Sequence, residues 1–234
     1  MAIAPVPKTL RDAIDECVGR FGDTLSTILW FGSTARGEGN AESDEDLVLI
    51  FRAVDSDVLS TVRTIFATEE RADWSIDVRS DTEMRQLPYD LSYLRFVFGF
   101  RVLHGDFQAF PLPREALLGA LRHLASQTSR TCRHRYLVGR HSGKHVHGMA
   151  KRAVLAMKKR HYLLHSHWPA TAAELTRYVE HPDERSIIDW VARWPEARPY
   201  FKRDPASALL LIDAFMRRLI ELLPEPENPA SPGA

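Results

Sequence analysis

The stretch FGSTARGEGNAESDEDLVLIF, Phe31 to Phe51, joins a glycine turn to a group of acidic residues and then to an apolar run. Gly32 and Gly37 have the four-residue gap of a Walker A phosphate loop, but Glu38 stands where that motif requires a lysine. A Walker A loop is therefore excluded. The acids that follow the turn decide what chemistry it can serve.

Helix and strand patterns alternate around this stretch. An apolar stripe at helical spacing runs from Leu10 to Phe21 and predicts a first helix. A second helix is expected over Asp57–Arg71. The predicted strands are Thr24–Phe31, Asp46–Phe51, Trp74–Ser80 and Gly99–Asp106. We therefore expect a small α/β unit with a mixed sheet.

Three acids are expected on one face of this sheet. Asp44 and Asp46 lie two residues apart where a strand begins, so their side chains project from the same face about 6 to 7 Å apart, while Glu45 points away. Asp77 alternates with apolar neighbours on what would be an adjacent strand. Converging carboxylates repel one another unless a cation lies between them. Oxygen-only ligands of this kind suit Mg²⁺, which completes its shell with water and substrate phosphates.

The glycine turn can then bind the phosphate. Gly32 follows a strand and lets the backbone approach a ligand closely, since it has no side chain. Free backbone N–H groups and the Ser33 hydroxyl would bind a phosphate oxygen without a lysine. Arg36 is expected either to hold this turn or to contact a triphosphate.

Gly32-Ser33, a ten-residue gap, the pair Asp44 and Asp46, and a later acid at Asp77 together resemble a known signature. It is that of the DNA polymerase β-like nucleotidyltransferase superfamily, in particular its minimal nucleotidyltransferase branch. The resemblance covers about residues 29–78. One position departs from it, because the residue between the two acids is usually apolar in this family and is Glu45 here. We expect Glu45 either to face solvent or to pair with an arginine.

The resemblance implies a reaction and its cofactors. Asp44, Asp46 and Asp77 would hold one Mg²⁺ that lowers the pKa of an acceptor hydroxyl. Asp44 and Asp46 would hold a second that binds the triphosphate of a nucleoside triphosphate and neutralises the leaving pyrophosphate. The product would be a nucleoside monophosphate attached to the acceptor. A catalytically inactive binding module is the non-enzymatic alternative, but such degenerate members lack an acid of the triad.

Charge divides the chain into two parts. No acid lies between Glu115 and Glu174, where the sequence holds eleven Lys or Arg and eight of the ten His. The remainder holds 20 basic and 31 acidic residues. We therefore expect an α+β fold, with a nucleotidyltransferase domain over residues 1–110 and an α-helical bundle over residues 111–223. A disordered tail is expected over residues 224–234.

Helical patterns fill the second part. Candidates are Glu115–Thr128, Thr171–Val179, Glu184–Trp194, Ala206–Leu223 and a longer helix with an apolar stripe from Val146 through Leu164 to Trp168. The solvent face of the long helix is expected to be basic, through Lys144, Lys151, Arg152, Lys158, Lys159 and Arg160. We take Lys151, Arg152, Lys158 and Lys159 as candidate acceptor-binding residues.

Several acceptors remain open. A basic surface favours RNA, such as a tRNA end, because phosphate contacts dominate nucleic-acid affinity. A protein acceptor is also open, since minimal nucleotidyltransferases resemble antitoxins that modify a partner toxin. An aminoglycoside-type acceptor is cationic and would be expected to require an acidic pocket. As a further alternative, Arg135 and His141 fit the R-x(4–6)-H spacing of a HEPN-like ribonuclease.

Neither membrane association nor secretion is expected. The sequence contains no apolar run of about 18 residues, and its first residues do not have the pattern of a signal peptide. A cytoplasmic location is therefore expected. Cys17 and Cys132 are far apart in sequence and are expected to be reduced residues of the core.

Overall fold

A computed structural model of the chain describes residues 5–37, 44–86, 99–108, 113–139 and 142–224. The chain divides into two compact units, Met1–Leu112 and Pro113–Ala234. The boundary drawn from charge and proline content lies two residues before this division. The residues of the expected tail after Pro224 lie outside the described part of the chain.

The first unit is built on a mixed sheet, as expected. The strands are β1 (Leu25–Phe31), β2 (Asp46–Phe51), β3 (Ser75–Ser80) and β4 (Arg101–Gly105), in the order β3-β2-β1-β4. β1 is antiparallel to both β2 and β4, whereas β2 and β3 are parallel. The α-helices within the described ranges of this unit are α1 (Lys8–Phe21), α2 (Gly32–Ala35), α3 (Ser56–Phe66) and α4 (Asp81–Gln86).

The two faces of the sheet are covered differently. The larger core packs α1 and α3 against alternate strand residues, including Ile28, Trp30, Leu47, Leu49 and Phe51. The opposite face has a smaller cluster formed by Leu29, Phe31, Val48, Ile50 and Met84. Asp46 is on this second face, because side chains alternate along a strand and Asp46 shares the parity of Val48. The acids therefore lie on the face that carries the smaller cluster of described residues.

The second unit is helical. Its elements are α5 (Arg114–Val138), α6 (Gly143–His165), α7 (Ala172–Thr176), α8 (Pro182–Ala192), α9 (Trp194–Arg203) and α10 (Pro205–Leu222). α5 runs ten residues beyond its predicted end and packs against both α6 and α10. α9 was not predicted from the sequence; it has a proline in its first turn and a second, Pro199, in its interior, where proline is unfavourable.

The predicted apolar stripe of α6 is partly wrong. The members of the stripe from Val146 to His161 are buried, namely Val146, Ala150, Ala153, Val154, Met157 and His161. Leu164, however, is 61% exposed, and Trp168 lies beyond the end of the helix. Trp168 falls outside the stripe because Ser166, with a φ of 51°, terminates the helix in a left-handed conformation.

Two further observations concern membrane association and cysteines. None of the helices in the described ranges is both long and apolar enough to cross a bilayer. Cys17 and Cys132 are both free and buried, as expected. Burial raises the pKa of each thiol to about 12, so neither forms a reactive thiolate at neutral pH.

Candidate active site

The strand register brings the predicted acids to one end of the sheet. Asp46 pairs with Phe31 of β1 on one side and with Ser75 of β3 on the other. Asp77 pairs with Val48, two residues further along, and so lies on the same face of the sheet as Asp46. Strand spacing and rise put the two Cα atoms roughly 8 Å apart. Asp44 is exposed and lies two residues before Asp46.

Gly32 is packed against one of these acids. It has a φ of +86°, in the left-handed region that glycine tolerates without strain. A Cβ built at this position would overlap the Asp46 carboxylate. The absence of a side chain at Gly32 therefore leaves space for the carboxylate of Asp46.

Glu45 does not behave as expected. Its Oε2 accepts hydrogen bonds from Trp30 Nε1 at 2.6 Å and from Thr34 Oγ1 at 2.8 Å. Its partners are therefore Trp30 and Thr34 and not an arginine, so the expected arginine pair was wrong, and the side chain is only partly buried. Its backbone carbonyl accepts a bond from Ser75 N at 2.8 Å, where β2 meets β3.

The choice of Asp77 as the third acid stays a prediction, and Asp77 and Asp81 differ in position on β3 and in their partners. Asp81 follows the last residue of β3, at the opposite end of that strand from Ser75, and accepts a hydrogen bond from Ser26 at 3.1 Å. Asp77 is instead bound by Arg79, whose Nε lies 2.8 Å from Asp77 Oδ1. Arg79 lies on the same face of β3 and compensates part of the negative charge there.

The donor set fits Mg²⁺ with few protein ligands. Within the described ranges, no three His, Cys, Asp or Glu side chains are already arranged around a common ion position. Mg²⁺ does not require such a cage, because it is commonly held by one or two carboxylates together with substrate phosphates and water. Asp46, with Asp44 before it and Gly32 beside it, provides carboxylate oxygens of the required kind.

The remaining residues of the turn lie next to this site. Ser33 and Thr34 belong to the short α2, and both are partly buried. Arg36 follows α2, and its side chain runs past Gly99, where an added Cβ would lie 3.2 Å from Arg36 Cδ. Arg36 therefore contacts the backbone just before β4. A role in holding the turn is compatible with this contact.

In the second unit, the basic face predicted for α6 was wrong at two positions. Lys158 is 8% exposed and donates a hydrogen bond to the Ala170 carbonyl at 2.7 Å, and Lys159 is 2% exposed. Lys151 and Arg152 are exposed, as predicted. Arg160 lies 3.6 Å from Glu184 of α8. His141, needed for the ribonuclease motif with Arg135, lies outside the described residues.

Sequence reasoning missed three residues of the site. Trp30 was assigned only to a strand, and Thr34 and Arg79 were given no role. The available signal was Glu45, which lies between the proposed metal ligands Asp44 and Asp46. A carboxylate on the apolar face of a sheet needs hydrogen-bond donors. This signal predicts that donors are present but does not identify them as Trp30 and Thr34.

The comparisons with known proteins agree with this geometry. Residues 10–100 match the family described as nucleotidyltransferase domain. A search of curated proteins gave no match. Among solved structures, the chain is similar to spectinomycin adenyltransferase AAD(9) from Enterococcus faecialis, determined with ATP and spectinomycin. The TM-score is 0.55 at 10% identity, covering 89% of this chain and 98% of that chain.

The family match begins within α1 and ends just before β4, so it contains β1 to β3 and every candidate acid. The likeness to the solved structure extends the agreement in fold into the helical unit. Residues 10–100 thus form a nucleotidyltransferase domain, and this match supports a nucleotidyltransferase enzyme.

Proposed function

We propose that the protein transfers a nucleoside monophosphate from a nucleoside triphosphate to a hydroxyl group. The observation that carries this proposal is the packing of Gly32 against Asp46, one strand away from Asp77. It combines a turn suited to phosphate with carboxylates suited to a divalent cation. Mg²⁺ bound there would lower the pKa of the acceptor hydroxyl and offset charge on the leaving pyrophosphate.

The residues of the chain mainly position the reactants. The acceptor oxygen forms a bond to the α-phosphorus, the bond from that phosphorus to the β-phosphate oxygen breaks, and the hydroxyl proton is released. Ser33 and the backbone N–H groups of the turn bind phosphate oxygens, and Arg36 supports the turn. Asp44, Asp46 and Asp77 are the proposed ligands of two Mg²⁺ ions. Such positioning and charge compensation supply most of the rate enhancement in this type of reaction.

We propose a small hydroxylated antibiotic as the first acceptor to test. The likeness to spectinomycin adenyltransferase covers nearly the whole of that chain, including its helical part, although the identity of 10% supports only the fold. This acceptor class was placed lower from the sequence because of the basic middle region. The burial of Lys158 and Lys159 removes part of that objection.

RNA is the second candidate acceptor, and a partner protein, as in toxin–antitoxin pairs, is the third. RNA is favoured by the exposed Lys144, Lys151 and Arg152, which lie in a segment without acids. Phosphate contacts of this kind contribute most of the affinity for nucleic acid. No described contact favours a protein acceptor over the other two.

The reaction is tested by incubating the protein with each α-labelled nucleoside triphosphate and Mg²⁺. Spectinomycin and related compounds, total RNA and cell protein serve as separate acceptors. We expect label in one acceptor class, and none with Asp46→Asn or Asp77→Asn, because each removes a proposed ligand. Asp81→Asn is the matched control and should keep activity. No transfer to any acceptor by the wild type, or full activity in Asp46→Asn, would contradict the proposal.

A further inference from the structure

Glu45 connects parts of the candidate active site that are distant in sequence. One carboxylate oxygen accepts bonds from Trp30 Nε1 on β1 and from Thr34 Oγ1 on α2. Its carbonyl accepts a bond from Ser75 N on β3. The same residue therefore touches the strand before the glycine turn, the turn itself and the strand that carries the third acid.

The Trp30 donor to Glu45 cannot easily be satisfied in another way. Trp30 is only 1% exposed, so water does not replace Glu45 as the partner of its indole N–H. Arg101 lies over the Trp30 ring, with 5.0 Å between the guanidinium carbon and the ring centroid. Hydrogen bonds to a charged acceptor are shorter and stronger than those between neutral groups. The orientation of the Glu45 side chain is therefore well determined.

This orientation acts on the neighbouring acids. Asp44 and Asp46 are covalently joined to Glu45, and Thr34 Oγ1 also lies 3.4 Å from the Asp44 carbonyl. Gly32 begins the same short helix that contains Thr34, and it packs against the Asp46 carboxylate. Fixing Glu45 to Thr34 thus fixes the distance between the proposed metal ligands and the proposed phosphate turn.

We propose that Glu45 is a positioning residue that holds Asp44 and Asp46 in register with the Gly32-Ser33 turn, so that metal and triphosphate bind together. This inference rests on the proposed function. Glu45 itself contacts neither ion nor nucleotide, since its side chain lies on the opposite face of the sheet from Asp46.

Calorimetric binding of ATP at a series of Mg²⁺ concentrations tests this proposal without an acceptor. Glu45→Leu removes the acceptor of the Trp30 and Thr34 donors and replaces it with an apolar side chain of similar size. We expect the Mg²⁺ concentration for half-maximal ATP binding to rise about 10- to 100-fold, as for other residues that orient metal ligands. Glu45→Gln keeps an oxygen acceptor and should restore most of the binding. Glu70→Leu, in an exposed turn of the same unit, is the control for loss of one carboxylate.

Further measurements separate positioning from general stability. The Trp30 indole N–H resonance, assigned by its loss in Trp30→Phe, should shift in Glu45→Leu and much less in Glu45→Gln. If Glu45→Leu does not fold, Thr34→Val removes one of the two bonds and should raise the same Mg²⁺ requirement several-fold. Unchanged Mg²⁺ dependence in the folded variants, with only a lower Tm, would overturn the proposal. Wild-type binding of ATP without transfer would count against the proposed function and not against the role of Glu45.

Discussion

At the scale of single residues, the site depends on a backbone conformation that only glycine adopts without strain. Gly32 has a φ of +86°, and the space where its Cβ would lie is taken by the Asp46 carboxylate. Any other residue must therefore strain the backbone and move the acid. These two effects have different consequences, because strain lowers stability whereas displacement of Asp46 changes metal binding.

We expect Gly32→Ala to reduce activity strongly. A residue other than glycine in an unfavourable backbone region costs on the order of 1 to 3 kcal/mol in free energy of unfolding. The overlap with Asp46 should in addition raise the Mg²⁺ concentration needed for activity. Thermal unfolding and a Mg²⁺ titration of the transfer rate measure the two effects separately.

Gly19→Ala is the matched control for this variant. Gly19 lies within α1, and a Cβ there meets no atom within 4 Å. Its replacement should leave activity unchanged and stabilise the helix by about 0.5 to 1 kcal/mol. Equal Mg²⁺ dependence in Gly32→Ala and Gly19→Ala would show that the contact with Asp46 has no role.

At the scale of secondary-structure elements, strands were easier to predict than helix faces. β2 begins and ends at the predicted residues, because a change from acids to a continuous apolar run marks a buried strand clearly. α6 was harder, because it packs against α5, α8, α9 and α10 and is therefore buried over much of its circumference. A single apolar stripe cannot describe such a helix, and Lys158 and Lys159 were for this reason assigned to solvent.

The site shows the same limit. Alternation along β2 correctly placed Glu45 on the face opposite the acids. Its partners could not be predicted, because Trp30 and Thr34 belong to another strand and to a short helix. Pairing between elements depends on the register of the sheet, which the sequence of one strand does not contain.

His147 in α6 predicts that the stability of the protein depends on pH. Burial, with a smaller effect from Lys151, lowers the pKa of His147 from 6.5 to about 4. The ring stacks on Trp194 with 3.8 Å between centroids. The unfolded chain therefore binds a proton at a higher pH than the folded chain does, and the contribution of His147 to stability is lost as pH falls from about 6.5 to about 4.

We expect His147→Phe to remove this part of the pH dependence while keeping a stacked ring. Denaturant unfolding at pH 7 and pH 4.5 measures this pH dependence. The quantity to compare is the change in free energy of unfolding between the two pH values, in the variant and in the wild type. His134→Phe, on an exposed part of α5, is the control and should leave the dependence as in the wild type. If wild type and His147→Phe lost the same free energy of unfolding between pH 7 and pH 4.5, a group other than His147 would be responsible for the pH dependence.

At the scale of the whole molecule, folding partly cancels the charge separation seen in the sequence. The acid-free segment receives acids from later helices, since Arg133 lies 2.9 Å from Asp213 and Arg160 lies 3.6 Å from Glu184. The basic surface is therefore smaller than the sequence suggests. Lys151 and Arg152 remain exposed on consecutive positions of α6.

Variants of Lys151 and Arg152 test whether RNA is the acceptor. If they bind RNA, changing both to Gln removes up to two phosphate contacts, and the slope of log affinity against log salt falls by up to about 0.7 per contact for a single strand. The matched control is Lys202→Gln with Arg203→Gln, a second pair of exposed, consecutive basic residues in the same unit. RNA binding measured from low to physiological salt should show a lower slope only for the first pair. Equal slopes for wild type and both variants, or no RNA binding by the wild type, would exclude this surface as an RNA site. The small hydroxylated antibiotic would then stay the leading acceptor. Such a ligand lacks the phosphates that make binding depend steeply on salt.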